Sequence, residues 1–425
     1  MSDVRSSRIE GLHKMTPEAR LQAVAQQANL GNEAIASLSA AAEGQIELAD
    51  RLVENAITSM AIPVGIATNM IVDGREMVVP MATEESSVVA AVCNSAKRCR
   101  PTGGFRTSSS GPVMAAQIQL LGASDPENVR LKVYERMDEI RAICDETDPL
   151  LLKFGGGFRD LDIRVLETDE GPMTIVHIIV DTRDAMGANA VNSMAEALAP
   201  KLVEWTGARS LLRILTNLAD RRVVRARAVW PLDQIGGEQV RDDMLSAYHF
   251  ADADPYRAAT HNKGIMNGVS AVVLATGNDT RAIEAGAHAF AAKDGHYRSM
   301  SRWEADADGN LVGILEMPMA VGLIGGATKV HPTAQANLAV LGVKTADELA
   351  RIIVSVGLAQ NFGAMRALAT TGIQKGHMAL HAQNVALAIG AVGAEIDQVA
   401  SELKALGKVR QDLAEEILAR LRGGK

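Results

Sequence analysis

The chain has 425 residues, 47% of them hydrophobic, which is the size and composition of a globular protein with two or three domains. Its net charge of −8 disfavours a general nucleic-acid or membrane-surface binder, because either would need a basic face. Cys93, Cys99 and Cys144 lack paired metal spacing, so neither a disulfide framework nor a zinc site is predicted. The polar N-terminus and the lack of an apolar run long enough to cross a bilayer predict a cytoplasmic protein.

The first hundred residues are predicted to be mostly helical. Thr16 can cap a helix whose first residue is Pro17, and apolar residues then recur at helical spacing. "ESSVVAAVCNSAKRCR" predicts another helix, and the turn-rich "PTGGFRTSSSGP" that follows it indicates a domain boundary near residue 112.

Residues 113–217 are predicted to form a small inserted α+β unit. A strand in "VMAAQIQLLGA" precedes a helix from about Asp125 to Thr147 and then two strands joined by an Asp-Glu-Gly-Pro turn. A helix near "NSMAEALAPKLVEW" and a strand near "SLLRILTN" complete the unit. This order, with its hairpin, is typical of antiparallel pairing.

The rest of the chain is predicted to return to long helices. Residues 218–375 contain one hairpin, at "SRWEADADGNLVGILEMPM", and residues 376–425 form two amphipathic helices that could move as a flap. The predicted fold class is therefore α+β: a large, mostly helical domain (1–112 and 218–375), an inserted antiparallel unit and a C-terminal helical flap.

The segment "DPYRAATHNKGIMNG" carries the first candidate site. A helix that begins at Asp254-Pro255 places Thr260, Lys263 and Asn267 on one face with Arg257 at its edge, although the "VSAVVL" end could equally be a strand. Two cations and an amide on one stripe can hold a carboxylate and polarise a carbonyl. A solvated surface lysine explains the same spacing.

Two acids and a histidine each allow a structural and a catalytic interpretation. Asp279 could cap the helix that follows "ATGND", or it could tune a nearby ammonium. Glu85 stands at a helix start, where the macrodipole favours acids, but a buried glutamate there could be a general acid. His381 could be structural, or a mobile proton donor on the flap.

The segment "IIVDTRDAMGANAVNSMAEALA" runs from a strand into a helix. Gly187 allows backbone amides to approach an anion such as a pyrophosphate. The spacing is not the Gly-x-Gly-x-x-Gly of a Rossmann turn, so a dinucleotide site here would be of a different kind.

Taken together, these segments resemble the bacterial class II form of 3-hydroxy-3-methylglutaryl-coenzyme A (HMG-CoA) reductase. The resemblance covers nearly all of the chain after residue 50. The segments that carry it occur in the order of that family: "TEESS", "GGFRTSSSGP", "DAMGAN", "DPYRAATHNKGIMNG", "ATGND", "GLIGGATK", "GLAQNFGAMRALATTGIQKGHM" and "LHAQN".

The resemblance implies an oxidoreductase that interconverts HMG-CoA with mevalonate and CoA. The reaction uses two hydride transfers and passes through a hemithioacetal and mevaldehyde. Lys263 would stabilise charge on the carbonyl oxygen, and Asp279 would hold and tune it. Glu85 would manage the proton on the aldehyde oxygen, and His381 would protonate the departing CoA thiolate. No metal is implied.

The same resemblance assigns the binding residues and the assembly. Ser87, Arg257 and Asn267 would grip the hydroxymethylglutaryl group, which makes the large domain the substrate domain. The family forms homodimers or assemblies of dimers with sites between subunits, and the flap closes over substrate and cofactor.

The cofactor implied is NAD, with residues 113–217 as its domain. Asp148 matches the acid that holds the adenosine ribose hydroxyls, and a carboxylate there would repel a 2′-phosphate and favour NADH over NADPH. Asp148 could instead simply end the helix before Pro149. Asp184, Gly187 and Asn189 carry over to the dinucleotide site.

One segment departs from the family pattern, and two other functions compete. "ENAIT", Glu54 to Thr58, ends in threonine where members usually have glycine, so the substrate contacts of that loop are left open.

A non-redox CoA-thioester lyase or transferase would also use Lys263 and His381, but it would need no dinucleotide ribose contact. A non-enzymatic helical scaffold would have no reason to keep the catalytic residues.

Overall fold

The computed structural model describes residues 9–370, 372 and 382–423, and the chain divides into two compact units, Met1–Pro63 and Val64–Lys425. The first unit is helical, and the hydroxyl of Thr16 accepts the Ala19 amide (3.3 Å) to cap its first helix, as predicted. After a 3-10 turn at Leu12–Lys14, its helices are α1 (Pro17–Ala28), α2 (Asn32–Ala42) and α3 (Ile46–Leu52).

The second unit opens with an antiparallel hairpin, β1 (Val64–Val72) and β2 (Arg75–Ala82), so the prediction of a mostly helical first hundred residues was wrong here. Asp73 and Gly74 have φ of 51° and 84°, as a tight two-residue hairpin turn requires. The predicted helix follows as α4 (Val88–Cys99), which packs on β1. Strand β3 (Arg106–Ser109) then lies where the sequence predicted only turns.

The predicted antiparallel sheet between residues 113 and 217 is present, with strand order β5-β6-β4-β7. The predicted helix over 125–147 is two helices, because the backbone leaves the helical region at Arg136. The Arg136 guanidinium lies over Trp205, 5.3 Å from the ring centroid. Both helices pack on α8. In chain order the elements are β4 (Val113–Leu121), α5 (Pro126–Tyr134), α6 (Met137–Thr147), α7 (Pro149–Lys153), β5 (Gly157–Thr168), β6 (Gly171–Asp181), α8 (Ala188–Thr206) and β7 (Arg209–Leu215).

A second four-stranded antiparallel sheet has the order β3-β8-β10-β9. The hairpin of β9 (Ser301–Ala305) and β10 (Leu311–Pro318) is the predicted one, whereas β8 (Val223–Trp230) lies in a region predicted to be helical. Its sequence "VVRARAVW" alternates exposed arginine with buried alanine, which is the period of a strand. Between β8 and β9 lie α9 (Leu232–Ile235), α10 (Glu238–Ala253), α11 (Pro255–Ala275) and α12 (Thr280–Ala291).

Helix α15 (Ala346–Ala369) is the central helix of this unit and follows α13 (Gly326–Val330) and α14 (Pro332–Leu341). By length and composition it could cross a membrane, contrary to the expectation that no run is long enough, but 67% of the apolar window is buried inside the protein. It packs against α4, α11, β8 and β10, and Phe362 stacks on Trp230 with ring centroids 4.4 Å apart. It is therefore a core helix.

Beyond residue 381, the described chain has three helices rather than the predicted two: residues 382–388 (α16), α17 (Ala394–Ala405) and α18 (Gln411–Gly423). Their apolar side chains, including Val399, Leu403 and Leu418, form a cluster of their own, separate from the main core. The fold is α+β with antiparallel sheets. The division into 1–112, 113–217, 218–375 and 376–425 stays a prediction.

Candidate active site

A cavity of about 760 Å³ lies between the N-terminal end of α4, the first half of α11 and the second half of α15. Its walls bring together five residues that the sequence selected from two distant segments: Glu85, Ser87, Arg257, Lys263 and Asn267. The placement of the last three follows from α11, which begins at the predicted Asp254-Pro255 and remains helical through "VSAVVL".

Lys263 and Glu85 form the centre of this site. The Lys263 Nζ donates to Glu85 Oε2 over 2.8 Å, and Asn267 Nδ2 donates to the same oxygen over 3.3 Å. The two charged side chains are 62% and 39% exposed, so a molecule in the cavity can reach both. An ion pair this exposed contributes at most about 1 kcal/mol to stability, and its arrangement is better explained by chemistry than by folding.

The backbone beside Glu85 is strained. Ser87 lies in the left-handed region, with φ 74° and ψ −12°, at the N-cap of α4. A residue other than glycine in this conformation costs on the order of 1–3 kcal/mol, and such residues cluster at functional sites. Two residues earlier, the Glu85 amide donates to Thr83 Oγ1 (3.2 Å), which holds the same turn. The turn is thus fixed in the conformation that presents Glu85 to Lys263.

Arg257 provides a second cation at the start of α11. The Asp254 carboxylate caps this helix by accepting the Arg257 amide over 2.8 Å. Partial burial lowers the pKa of the Arg257 guanidinium. Among the described residues, no carboxylate lies within ion-pair distance of that guanidinium, so its charge is available to an anionic ligand.

Two cavity residues, Gln360 and His261, were missed by the sequence reasoning. Gln360 is 6% exposed, and within the described chain its Oε1 has no hydrogen-bond partner. His261 Nε2 lies 2.9 Å from Ser301 Oγ and 3.2 Å from Asn361 Nδ2. Burial, followed by the charge of Arg257, lowers the pKa of His261 to about 4, so it is neutral at pH 7. The available signal was the polar Gln-Asn pair within the apolar run "IIVSVGLAQNFGAM".

Asp279 caps α12, as its structural interpretation predicted. Its Oδ1 accepts the amides of Arg281 (3.0 Å) and Ala282 (3.2 Å). About 18 Å of helix axis separates Lys263 from Ala275 at the end of α11, and within the described chain Asp279 forms no ion pair with Lys263. Within the described chain the two residues are therefore not brought together.

The candidate cofactor residues lie at one end of the small sheet, where Gly157 of β5 pairs with Asp181 of β6. Asp148 directly follows the last residue of α6, as its structural interpretation predicted, and its carboxylate also caps α7 by accepting the Leu151 amide (2.9 Å). Beyond β6, Asp184 accepts the Ala346 amide over 2.8 Å. These contacts fix both carboxylates in place.

Gly187 and Asn189 form the start of α8. Gly187 has φ 102°, and a Cβ atom there would lie 2.4 Å from Thr182 Cγ2, so only glycine fits. Among the described residues no side chain caps α8, and Asn189 is exposed. The first amides of this helix are suited to an anion.

Three further points from the sequence concern His381, Thr58 and metal binding. His381 lies outside the described residues. The Thr58 hydroxyl of "ENAIT" donates to the Leu38 carbonyl (2.7 Å), a contact internal to the first unit. In the part of the chain that the structure describes, no group of three or more His, Cys, Asp or Glu residues could hold a metal ion.

Comparison with known proteins decides the family. The family model described as hydroxymethylglutaryl-coenzyme A reductase matches residues 16–382. The chain belongs to this family. It is 51% identical over 418 residues to the HMG-CoA reductase of Archaeoglobus fulgidus, covering 98% of this chain and 95% of that protein. It is 36% identical over 344 residues to a probable HMG-CoA reductase of Borreliella burgdorferi, covering 79% and 77%.

Solved structures agree with the assignment. The class II HMG-CoA reductase from Streptococcus pneumoniae, bound to NADPH in open conformations, has a TM-score of 0.76 and 39% identity, covering 95% of this chain and 99% of that one. The resemblance predicted from the sequence, including the class II form, is thereby confirmed. Membership of the reductase family argues against both the non-redox thioester enzyme and the scaffold.

Proposed function

We propose that the chain interconverts HMG-CoA and mevalonate plus CoA, with NADH as the preferred hydride carrier and through a hemithioacetal and mevaldehyde. The observation that carries this proposal is the Lys263 ammonium, 2.8 Å from the Glu85 carboxylate on the wall of a cavity. The same cavity contains Arg257, which has no ion-pair partner among the described residues. In the proposed mechanism these residues are a carbonyl-polarising cation, a proton-handling acid and an anchor for a carboxylate that line one cavity.

Each group has a defined task. Two molecules of the reduced dinucleotide, bound in turn, would each supply one hydride, the first to the thioester carbonyl carbon and the second to the aldehyde carbon. Lys263 stabilises the negative charge that develops on the oxygen each time, and a preorganised charge of this kind is usually the largest single contribution to the rate. Glu85 delivers the proton that the aldehyde oxygen needs to become an alcohol. His381 protonates the CoA thiolate when the C–S bond of the hemithioacetal breaks.

The substrate is held by polar groups around this centre. Arg257 binds the terminal carboxylate of the hydroxymethylglutaryl group, because a guanidinium is well matched to a carboxylate. Ser87 and Asn267 contact the carboxylate and hydroxyl. Gln360 joins this set, because its buried Oε1, which lacks a partner within the described chain, is an acceptor for a substrate hydroxyl.

The dinucleotide is proposed to bind at the end of the small sheet. The uncapped amides of α8 and the exposed Asn189 fit a pyrophosphate, and Asp184 fixes the preceding turn. The Asp148 carboxylate favours the ribose hydroxyls of NADH over a 2′-phosphate. The relative from Streptococcus pneumoniae was solved with NADPH, so the preference proposed here depends on Asp148 and not on family membership.

A second copy of the chain completes the site. Asp279 cannot reach Lys263 in its own chain, because the length of α11 separates them. In a homodimer or an assembly of dimers with sites between subunits, Asp279 of one copy holds and tunes Lys263 of the other. We further propose that the protein acts in the cytoplasm, binds neither nucleic acid nor membrane and uses no metal.

The test is oxidation of reduced nicotinamide by purified protein with HMG-CoA, followed by absorbance with NADH and NADPH in parallel. NADH oxidation at the higher catalytic efficiency supports the whole proposal. Preference for NADPH keeps the reductase and removes the role of Asp148. No oxidation of either by a folded sample overturns the proposal. The Lys263→Ala variant, expected to be inactive, is matched by Lys201→Ala, which breaks another exposed Lys-Glu pair (2.9 Å to Glu204) on α8.

A further inference from the structure

Arg222, a residue without a role in the proposed mechanism, lies just before β8 and is 4% exposed. Its Nη1 donates to Thr182 Oγ1 (3.2 Å) and to the carbonyls of Ala185 (3.1 Å) and Met186 (3.2 Å). Its Nη2 donates to the Val321 carbonyl over 2.6 Å. One guanidinium therefore joins the turn after β6 to the segment after β10.

This cation has no carboxylate partner in the part of the chain that the structure describes. Among the described residues, no carboxylate oxygen lies within 4.0 Å of Arg222, and all of its hydrogen bonds go to neutral oxygens. Burial lowers the pKa of Arg222 to about 10, against the opposing charges of Asp347, Asp181 and Asp184, so it remains charged at pH 7. Burying an unpaired charge is costly, and a well-packed apolar side chain is often at least as stabilising. Global stability is therefore a poor explanation for an arginine here.

The groups that Arg222 contacts define the geometry of one turn. Thr182, Ala185 and Met186 belong to the segment that leads from β6 to Gly187 and α8. The planar Arg222 guanidinium donates to three acceptors in this segment and to the Val321 carbonyl. Because the guanidinium is rigid, these four bonds hold the segment in one position relative to Val321. A turn that binds a dinucleotide through its backbone needs such fixed amides.

The same turn is packed against residues 321–324. The Leu323 amide donates to the Asp184 carbonyl (2.8 Å), and Ala185 forms a parallel bridge with Ile324. A Cβ atom on Gly322 would lie 2.5 Å from the Met186 nitrogen, so the backbones touch only because that residue is glycine.

This packing continues to the residue that precedes Asp279. The Gly322 amide donates to Asn278 Oδ1 over 2.8 Å, and Asn278 directly precedes Asp279. The network of Arg222, the turn and Gly322 therefore connects the end of the small sheet to the corner that carries Asp279.

We propose that Arg222 is a positioning residue for the reductase: it holds the Asp184–Met186 turn against Val321 so that the amides at the start of α8 meet the dinucleotide. The proposal rests on the proposed function of that turn as the cofactor site. Arg222 itself touches neither substrate nor cofactor. Its loss therefore acts on dinucleotide affinity and leaves the hydroxymethylglutaryl site, which is built from α4, α11 and α15, unchanged.

The test measures the dissociation constants of NADH and of HMG-CoA by titration calorimetry on the full-length oligomer. In Arg222→Met we expect the Kd for NADH to rise by about tenfold or more, the equivalent of about 1.4 kcal/mol, while the Kd for HMG-CoA is unchanged. Arg222→Lys, which keeps the charge and some of the donors, should recover part of the affinity. Arg221→Met is the matched control, because Arg221 is its half-exposed neighbour, 3.7 Å from Asp162, and should bind both ligands normally.

An unchanged NADH affinity in folded Arg222→Met, or equal weakening of both ligands, overturns the proposal. If Arg222→Met does not fold, Thr182→Val removes one of the four acceptors, and an unchanged NADH affinity there has the same meaning. Asn189→Ala distinguishes the proposed cofactor site from the proposed role of Arg222. If this variant leaves NADH affinity unchanged, the turn is not the cofactor site, and the role of Arg222 falls with it. If it weakens NADH binding while Arg222→Met does not, only the role of Arg222 falls.

Discussion

The Lys263 ammonium and the Glu85 carboxylate meet at 2.8 Å although 178 residues of sequence separate them. The lysine is presented by the straight helix α11, and the glutamate by a turn that Ser87 holds in a strained left-handed conformation. Because both side chains stay partly exposed to one cavity, the pair contributes little to stability and leaves a cation and an acid within reach of one carbonyl group.

The first prediction concerns Lys263→Ala. Removal of a preorganised charge from the developing oxyanion should lower kcat by about 10²–10³-fold or more, while the free energy of unfolding changes by at most about 1 kcal/mol because the pair is exposed. Steady-state kinetics and urea unfolding of the same preparation check both parts. Normal turnover in the folded variant would refute the role of Lys263, and a large loss of stability would show that the pair is structural.

The second prediction follows from the length of α11. If Asp279 of one subunit serves Lys263 of another, then Lys263→Ala and Asp279→Asn are each inactive alone but complement each other in mixed dimers. In a random mixture half of the dimers are hybrids, each with one intact site of two, so activity should return to about a quarter of wild type. Co-expression with two affinity tags isolates the hybrids. Hybrids as inactive as the parents would place both residues in the same chain's site, and an active Asp279→Asn parent would exclude Asp279 from catalysis.

The third prediction is that Asp148 selects the cofactor. In Asp148→Ala the repulsion of the 2′-phosphate disappears together with the ribose contact, so kcat/KM should fall with NADH and rise with NADPH. The cap on α7 is also lost, which costs about 1 kcal/mol. Asp148→Ser keeps a capping oxygen without the charge and controls for that effect. If both variants keep the wild-type ratio of the two efficiencies, the selector lies elsewhere.

Local patterns predicted several elements because local physics determines them. Pro17 and Pro255 start helices whose preceding Thr16 and Asp254 cap them. Strand β4 of the small sheet alternates half-buried and buried residues, which is the period of a strand. The hairpin at Asp73-Gly74 was missed even though that dipeptide is a strong turn signal. The residues on either side of it were predicted to be helical.

Contacts between distant segments could not be predicted from local sequence patterns. Spacing alone placed Lys263 and Asn267 on one helix face, but only the resemblance to a family placed Glu85 beside them. The role of Gln360 could be inferred only from the structure, because only the structure shows that its buried Oε1 has no hydrogen-bond partner within the described chain. Capping residues such as Asp279 and Asp148 satisfy a local and a functional interpretation at once, so local sequence patterns alone do not separate the two.

The last prediction concerns the buried His261, whose pKa burial lowers from 6.5 to about 4. The unfolded chain takes up a proton near pH 6.5 and the folded chain does not, so this contribution to stability is complete above pH 6.5 and is lost as the pH falls towards 4. The full difference amounts to about 3 kcal/mol. His261→Gln cannot titrate, so its urea midpoint should fall less steeply between pH 7 and pH 4 than that of wild type. Parallel slopes, or an imidazole resonance of His261 that titrates near its ordinary pKa, would show that the ring is protonated within the fold and that its bonds to Ser301 and Asn361 do not hold it neutral.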